Sequence, residues 1–178
     1  MKKLALILIC ALFLTACGSY NIQVDLTPEQ RAEIEAKIEE LKEEIENFQS
    51  ENTDLAWRPI IKMAEAYEDL GELDKAIKTY KDVLDSGKKT RAIIHNLGRL
   101  YEKVGEYDLA IEQYQRIVDE YFDMDYLYDI TWAHIRAKNR KEAEKYFNAW
   151  QLEFRKTDEQ TQKAIKDLRA EEKANSAN

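Results

Sequence analysis

The sequence predicts an all-α fold, a short solenoid of antiparallel helix pairs, and three observations support this prediction. The 178-residue chain contains only five Gly and two Pro, and 35% of its residues are charged, a composition typical of helical proteins. No convincing run of alternating apolar and polar residues predicts a β-strand. Two segments, MAEAYEDLGELDKAIKTYKDVL from Met63 and LGRLYEKVGEYDLAIEQYQRIV from Leu97, align without a gap at a period of 34 residues, which indicates an internal repeat.

The aligned positions carry the residue types that two packed helices need. Gly71 and Gly105 follow the first helical pattern of each segment and can adopt the positive φ that a tight turn between helices often demands. Ala76 and Ala110 leave room for two helices to cross closely. Large aromatic residues are expected to fill the space between the helices while their hydroxyl groups stay in water. These residues are Tyr67, Tyr80, Tyr101 and Tyr114.

The two segments resemble the tetratricopeptide repeat, a helix–turn–helix unit of about 34 residues. The family signature places Leu-Gly and Tyr on the first helix, and Ala and an aromatic residue on the second. The second segment carries it at Leu97, Gly98, Tyr101, Gly105, Ala110 and Tyr114. The resemblance implies about three units, at residues 57–90, 91–123 and 124–156.

The third unit is a weaker copy that begins its pattern at Ile130. Ala143 and Phe147 take the places of the second-helix Ala and aromatic residue. Lys138 replaces the turn glycine, so that the neighbouring Asn139 is expected to adopt the left-handed conformation instead.

The resemblance also implies a binding function, because in this family the first helices of the units line a concave groove that holds peptides or partner domains. Carried onto this sequence, the groove has an acidic wall, a basic stripe and an aromatic end. The groove positions are Ile61, Glu65, Glu68, His95, Arg99, Lys103, Tyr128, Trp132 and Arg136.

Neither catalysis nor a metal site is expected. His95 and His134 are far apart in sequence and have no cysteine near them, whereas zinc requires three or four ligands at short, defined spacings. No HExxH, GxSxG or phosphate-loop pattern occurs. His134 is expected to be a packing residue, and no cofactor is expected apart from a covalent lipid.

Residues 1–16 are typical of a signal peptide. Lys2 and Lys3 precede an unbroken apolar run from Leu4 to Leu14, which has the length of a signal-peptide core and is too short to span a membrane. The following Leu14-Thr15-Ala16-Cys17 resembles the lipobox of bacterial lipoproteins, in which the chain is cut before a lipid-modified cysteine. The resemblance implies a lipid on Cys17 and a tether over residues 17–27. The alternative is an ordinary secreted protein whose Cys17 carries no lipid.

The lipid would place the protein in the cell envelope, at the periplasmic face of the outer membrane where the organism has one, or otherwise at the outer face of the cytoplasmic membrane. The formal net charge of −8 becomes more negative without Lys2 and Lys3, which argues against nucleic acid as a partner and against polybasic binding to lipid headgroups. The expected partner is an envelope protein or peptide.

Residues 28–50 are predicted to form an acidic amphipathic helix, with Thr27 as its N-cap and Pro28 at its first position. An apolar stripe runs along it for only about two and a half heptads, fewer than a stable coiled coil needs. The stripe therefore packs on the first repeat, on a second copy of the chain or on a partner helix. Its members are Ile34, Ile38, Leu41, Ile45 and Phe48.

Residues 157–178 are predicted to form a capping helix that begins at Thr157-Asp158, followed by a polar tail over residues 171–178. Two functional hypotheses result. The leading one is a membrane-anchored interaction module or scaffold of the bacterial cell envelope that binds a partner in its groove. The alternative is a structural lipoprotein that self-associates through the stripe at residues 34–48.

Overall fold

The computed structural model describes residues 20–50, 57–87 and 90–176, which form eight α-helices and no β-strand. The predicted signal peptide and Cys17 lie outside the described residues. The all-α prediction is confirmed. The helices are α1 (Pro28–Ser50), α2 (Trp57–Asp69), α3 (Leu73–Asp85), α4 (Arg91–Lys103), α5 (Tyr107–Tyr121), α6 (Tyr126–Arg136), α7 (Arg140–Phe154) and α8 (Glu159–Ser176).

The helices pack in chain order, with α1 on α2 at one end and α8 on α7 and α6 at the other. Short turns join α2 to α3, α4 to α5 and α6 to α7, so each of these pairs is a helical hairpin. Ion pairs join the C-terminal ends of the first helices: Lys103 Nζ lies 3.0 Å from Glu68 Oε1, and Arg136 Nη1 lies 2.5 Å from Glu102 Oε1. Helices α2, α4 and α6 therefore lie side by side and run in the same direction, as a solenoid of helix pairs requires.

The three hairpin turns share one backbone geometry. The residue with positive φ is Gly71 (77°) in the first, Gly105 (82°) in the second and Lys138 (58°) in the third. The expectation for Asn139 is wrong, because its φ is −93°. Its N–H donates to the carbonyl oxygen of His134 at 2.8 Å, as Glu72 and Glu106 donate to Tyr67 and Tyr101 at 2.9 Å. This hydrogen bond, from a backbone N–H to the carbonyl oxygen five residues earlier, closes the end of the helix. It fixes which residue adopts positive φ, whatever the side chain of that residue.

The core between the hairpins is built from the small and aromatic residues of the repeat. Tyr80 and Tyr114 are each 1% exposed, so their hydroxyl groups are not in water as expected. Asn96 Nδ2 donates to Tyr80 Oη at 3.1 Å, and the Tyr114 hydroxyl donates to Glu102 Oε2 at 3.2 Å. Burial raises the pKa of Tyr80 to about 12 and raises that of Tyr114 as well. Ala76, Ala110, Ala143, Tyr101 and Phe147 are also buried.

Gly98 lies where the ring of Tyr114 crosses α4. A Cβ added at Gly98 would lie 2.6 Å from Tyr114 Cε1, closer than real side-chain contacts allow. The Leu-Gly of the repeat signature is thus explained by steric contact, since only a residue without a side chain lets the buried tyrosine ring reach the helix backbone.

Helix α1 packs its stripe within the chain. Thr27 and Gln30 exchange hydrogen bonds at its start, where the Gln30 N–H donates to Thr27 Oγ1 at 3.2 Å and the Thr27 N–H donates to Gln30 Oε1 at 2.9 Å. Such a reciprocal cap satisfies two otherwise unpaired backbone donors. Ile38 joins Ala66 and Leu70 of the first hairpin in a buried cluster. Of the alternatives for the stripe, the structure shows packing on the first repeat.

Helix α8 closes the other end of the array. The Thr161 N–H donates to Asp158 Oδ2 at 2.7 Å, which makes Asp158 the cap of the helix. The helix continues to Ser176, whereas a polar tail was expected from residue 171. Arg140 Nε lies 2.6 Å from Glu172 Oε2, and Lys138 Nζ lies 3.6 Å from Glu171 Oε2. These pairs attach the last turns of α8 to the third hairpin.

Residues 20–26 differ from the expected tether, because they lie against the turns of the first two hairpins. The Ile22 N–H donates to the carbonyl oxygen of Gly71 at 2.9 Å, and the ring of Tyr20 packs against the main core. Within the part of the chain that the structure describes, no helix has both the length and the hydropathy that crossing a bilayer requires.

Candidate functional site

A ladder of ion pairs runs along the surface formed by α2, α4 and α6. Glu68 of the first hairpin accepts from Arg99 Nη2 at 3.3 Å and from Lys103 Nζ at 3.0 Å, both on the second hairpin. Glu102 of the second hairpin accepts from Arg136 Nη1 of the third at 2.5 Å. These five residues line an open pocket of about 360 Å³. Each cation of this ladder is therefore held by a carboxylate from the preceding hairpin.

A second open pocket, of about 330 Å³, continues the surface toward α8. Trp132 and Tyr128 form its aromatic wall, with ring centroids 6.5 Å apart in an edge-on arrangement, and the Arg136 guanidinium lies 5.7 Å from the Trp132 ring centroid. The pocket is lined by Glu102, Tyr128, Asp129, Trp132, Arg136 and Gln160. Together, the two pockets are called the groove below.

The aromatic wall is held in place by the capping helix. The Tyr128 hydroxyl donates to Asp158 Oδ2 at 3.2 Å and accepts from Thr161 Oγ1 at 3.3 Å. The bonds from Thr161 hold the pKa of Asp158 below its ordinary value, so its carboxylate is charged at neutral pH. The same carboxylate thus starts α8 and fixes the Tyr128 ring, which makes this end of the groove pre-organised.

The structure brings six of the nine predicted groove residues together and places the other three elsewhere. Ile61 packs against the main core, Glu65 is exposed, and His95 lies between Tyr114 and Tyr126 at ring-centroid distances of 6.2 and 5.5 Å. The remaining residues line the groove. They are Glu68, Arg99, Lys103, Tyr128, Trp132 and Arg136.

Three residues that line the groove were not predicted from the sequence. Glu102 lies 34 residues after Glu68, so the repeat period itself was a signal that could have identified it. Asp129 lies 34 residues after His95 and was available by the same argument. Gln160 comes from α8, whose position beside α6 no repeat pattern encodes.

A family model described as tetratricopeptide repeat matches residues 61–121 and again residues 95–160, which together make up more than half of the chain. The chain belongs to the tetratricopeptide repeat family. No curated protein matches it. Proteins with such repeats are in general non-catalytic modules for protein–protein interaction.

The fold of this tetratricopeptide repeat chain is also similar to that of a solved relative. The crystal structure of a tetratricopeptide repeat protein from Parabacteroides merdae ATCC 43184 aligns with a TM-score of 0.57 at 20% sequence identity. The alignment covers 76% of this chain but only 61% of the other. At this identity the likeness supports the fold and no shared partner.

One acid in the groove of the tetratricopeptide array is poorly neutralised. Burial and the nearby Glu102 together raise the pKa of Asp129 to about 6, although Arg136 acts in the opposite direction. The folded protein therefore holds a proton on Asp129 more tightly than the unfolded chain does. The stability that this proton contributes is lost as the pH rises through about 6.

We expect Asp129→Asn to stabilise the protein at pH 7.5. The substitution removes the charge but keeps the shape, and it should raise the free energy of unfolding by about 1 kcal/mol once the screening of this partly exposed group is allowed for. The gain should disappear near pH 4, where the carboxyl group is neutral in the fold. The free energy of unfolding is measured by urea titration at both pH values. As a control, the exposed Asp69→Asn should change it by less than about 0.5 kcal/mol at either pH. A loss of stability at pH 7.5 would show that Asp129 has a counter-charge.

The two histidines, one half-buried and one buried, are expected to affect stability in the opposite way to Asp129, with a loss as the pH falls. Burial lowers the pKa of both His95 and His134, and the Nδ1 atom of each is buried without a hydrogen-bond partner among the described residues. The fold keeps both rings neutral, so their contribution to stability is present above the unfolded-state pKa of about 6.5 and is lost as the pH falls.

We expect His134→Phe to weaken this loss. The phenyl ring keeps the stacking on Tyr146, whose centroid lies 5.4 Å away, but it cannot be protonated. The free energy of unfolding of the variant should therefore decrease less between pH 7 and pH 5 than that of the wild type, measured by urea titration at each pH. If the free energy of unfolding of the wild type and of the variant changed equally between pH 7 and pH 5, the assignment of His134 as a neutral packing residue would be wrong.

Proposed function

We propose that this chain is a membrane-anchored interaction module of the bacterial cell envelope and that its groove binds a segment of a partner protein. The observation that carries the proposal is the pre-organised pocket formed by Tyr128, Trp132 and Arg136 on a tetratricopeptide array. Trp, Tyr and Arg are the residue types that most often dominate binding energy at protein interfaces. The partner is an envelope protein or peptide.

The membrane anchor is supported by the sequence. Leu14-Thr15-Ala16-Cys17 ends an apolar run of signal-peptide length, and a second cysteine is present only at position 10, inside that run. A lipid on Cys17 would hold the protein at the periplasmic face of the outer membrane, or at the outer face of the cytoplasmic membrane where no outer membrane exists. More than one acyl chain is needed for stable attachment.

The alternative of a structural lipoprotein that self-associates through the α1 stripe has less support. Ile38 and Leu41 are each 4% exposed within the single chain, and Ile38 packs on the first hairpin. The stripe therefore presents little apolar surface to a second copy, whereas the groove is open.

The anchor is tested by metabolic labelling with an alkyne fatty acid, followed by membrane fractionation. The wild-type protein should carry the label and sediment with membranes, and Cys17→Ser should lose both properties. Cys10→Ser is the matched control and should keep both, since that residue lies in the predicted signal peptide. Equal labelling of Cys17→Ser would overturn the lipid assignment.

The groove is tested by a photo-crosslinking residue placed at either of two exposed sites in cells. Position 160 lines the groove, whereas position 152 is an 83% exposed leucine outside both pockets. We expect a defined adduct at position 160, none at position 152, and loss of the adduct when Trp132→Ala and Arg99→Glu are added. An adduct that survives these two substitutions would show that the partner binds elsewhere.

A further inference from the structure

Tyr20, the first described residue, is fixed to two hairpins at once. Its N–H donates to Asp74 Oδ1 of the first hairpin at 2.9 Å, and its hydroxyl donates to Glu106 Oε1 of the second at 3.0 Å. Its ring packs on the main core. The bond to Glu106 and burial raise the pKa of Tyr20, so the hydroxyl remains a donor throughout the physiological range.

The residues after Tyr20 are docked on the first hairpin turn. The Ile22 N–H donates to the Gly71 carbonyl oxygen at 2.9 Å, and the Asp74 N–H donates to Asn21 Oδ1 at 3.4 Å. The latter bond provides a cap that α3 otherwise lacks, since Glu72 makes no side-chain cap bond. A Cβ on Gly71 would overlap the Ile22 carbonyl oxygen and crowd Val24. The segment therefore fits a surface that only glycine leaves open.

The three hairpin turns lie on one side of the array, here called the turn edge. The ion pairs Lys103–Glu68 and Arg136–Glu102 bring the C-terminal ends of α2, α4 and α6 together, and a turn follows each of these ends. The opposite side, here called the loop edge, contains the connections at residues 122–125 and 155–158. Helices of 13 to 15 residues, such as α4 and α5, separate the two edges by about 20 Å.

Only Gly18 and Ser19 lie between Cys17 and Tyr20. Three residue steps span at most about 11 Å even when fully extended. We propose that the turn edge of the array faces the lipid surface and that the helices stand on it, so that the groove opens sideways. This inference rests on the proposed lipid at Cys17. It makes the lipid surface a second contact of the protein, distinct from the partner in the groove.

The charge of the turn edge indicates which force holds it there. Asp74, Glu106 and Asp108 lie at the starts of α3 and α5, on this edge. Lys75, Lys103 and Lys138 lie on the same edge, so it carries charges of both signs, and the acyl chains are what hold it at the surface. Arg99, Lys103 and Arg136, at the ends of α4 and α6, lie in the membrane-proximal half of the groove.

The test compares two positions on α5. Lipidated protein, purified from cells, is reconstituted into phosphatidylcholine vesicles that carry a short-range nitroxide quencher on the headgroup. A fluorophore is attached to Asp108→Cys at the turn edge or to Glu120→Cys near the loop edge, about 18 Å further along the helix. Both positions are exposed. We expect strong quenching of a fluorophore at position 108 and little quenching of one at position 120.

Docking of the N-terminal segment is tested in the same assay by a matched pair of glycine variants. Gly71→Ala displaces residues 20–26 and lengthens the connection to the lipid, so the difference between positions 108 and 120 should vanish. Gly105→Ala imposes the same backbone strain at φ 82° with open space around its Cβ and should preserve the difference. If circular dichroism shows that Gly71→Ala is unfolded, Tyr20→Ala combined with Asn21→Ala removes the docking side chains instead and should have the same effect.

Each outcome separates the two proposals. Protein without a fatty-acid label that stays off the vesicles overturns the lipid anchor. Labelled, vesicle-bound protein that is quenched equally at positions 108 and 120, or more strongly at 120, overturns the orientation and leaves the anchor standing. A quenching pattern unchanged by both undocking variants shows that the docked segment does not set the orientation.

Discussion

Tyr114→Ala is expected to destabilise the array by about 3–5 kcal/mol, the range for removing a large buried aromatic side chain. Tyr114 is 1% exposed and fills the space above Gly98 in the middle hairpin. Its ring also lies 5.9 Å from that of Tyr126 in the third hairpin. The cavity would therefore weaken both the hairpin and its junction with the next one, and urea unfolding followed by circular dichroism measures the loss.

Tyr114→Phe is the matched control for this prediction. It keeps the ring and removes only the bond to Glu102, a carboxylate that still pairs with Arg136, so the loss should be about 1–2 kcal/mol. If the two variants lost equal stability, the hydroxyl rather than the packed ring would be the dominant contribution.

Gly71→Ala is expected to destabilise the protein by about 2 kcal/mol more than Gly105→Ala. Both substitutions force alanine into positive φ, at 77° and 82°, which costs about 1–2 kcal/mol. Only at position 71 does the new methyl group collide with another segment, and the bonds of residues 20–22 to the first hairpin are then lost. Each such bond contributes about 1 kcal/mol.

The comparison is made by urea unfolding of both variants, with hydrogen exchange of the Ile22 amide as a local probe. The Ile22 amide should exchange faster in Gly71→Ala and at the wild-type rate in Gly105→Ala. Equal stability losses and an equally protected Ile22 amide would contradict the docking of the N-terminal segment.

The helix pairs could be predicted because their determinants are local and recur. Gly71 and Gly105 mark the turns, and the alanines and tyrosines mark the crossings, each at the period of the repeat. The prediction of the third turn failed because a backbone hydrogen bond, rather than a side chain, decides the conformation there. Lys138 adopts the positive φ because the hydrogen bond from Asn139 to His134 requires it, and residue type alone favoured Asn139.

The candidate site was harder to predict because its walls come from units that are distant in sequence. The family resemblance placed Glu68, Arg99 and Trp132 near a groove. It named neither Glu102, which holds Arg136, nor Gln160 on α8. The docked segment escaped prediction for a similar reason. Its contacts join residues 20–22 to Gly71, Asp74 and Glu106, and no spacing rule relates such positions.

The ladder of ion pairs along the groove fastens adjacent hairpins to one another. Arg99 and Lys103 are both tied to Glu68, and Arg136 is tied to Glu102, so every one of these pairs bridges two hairpins. A ligand carboxylate that bound one of these cations would compete for it with the protein's own carboxylate. Each ion pair exchanged in this way would remove one bridge between adjacent hairpins.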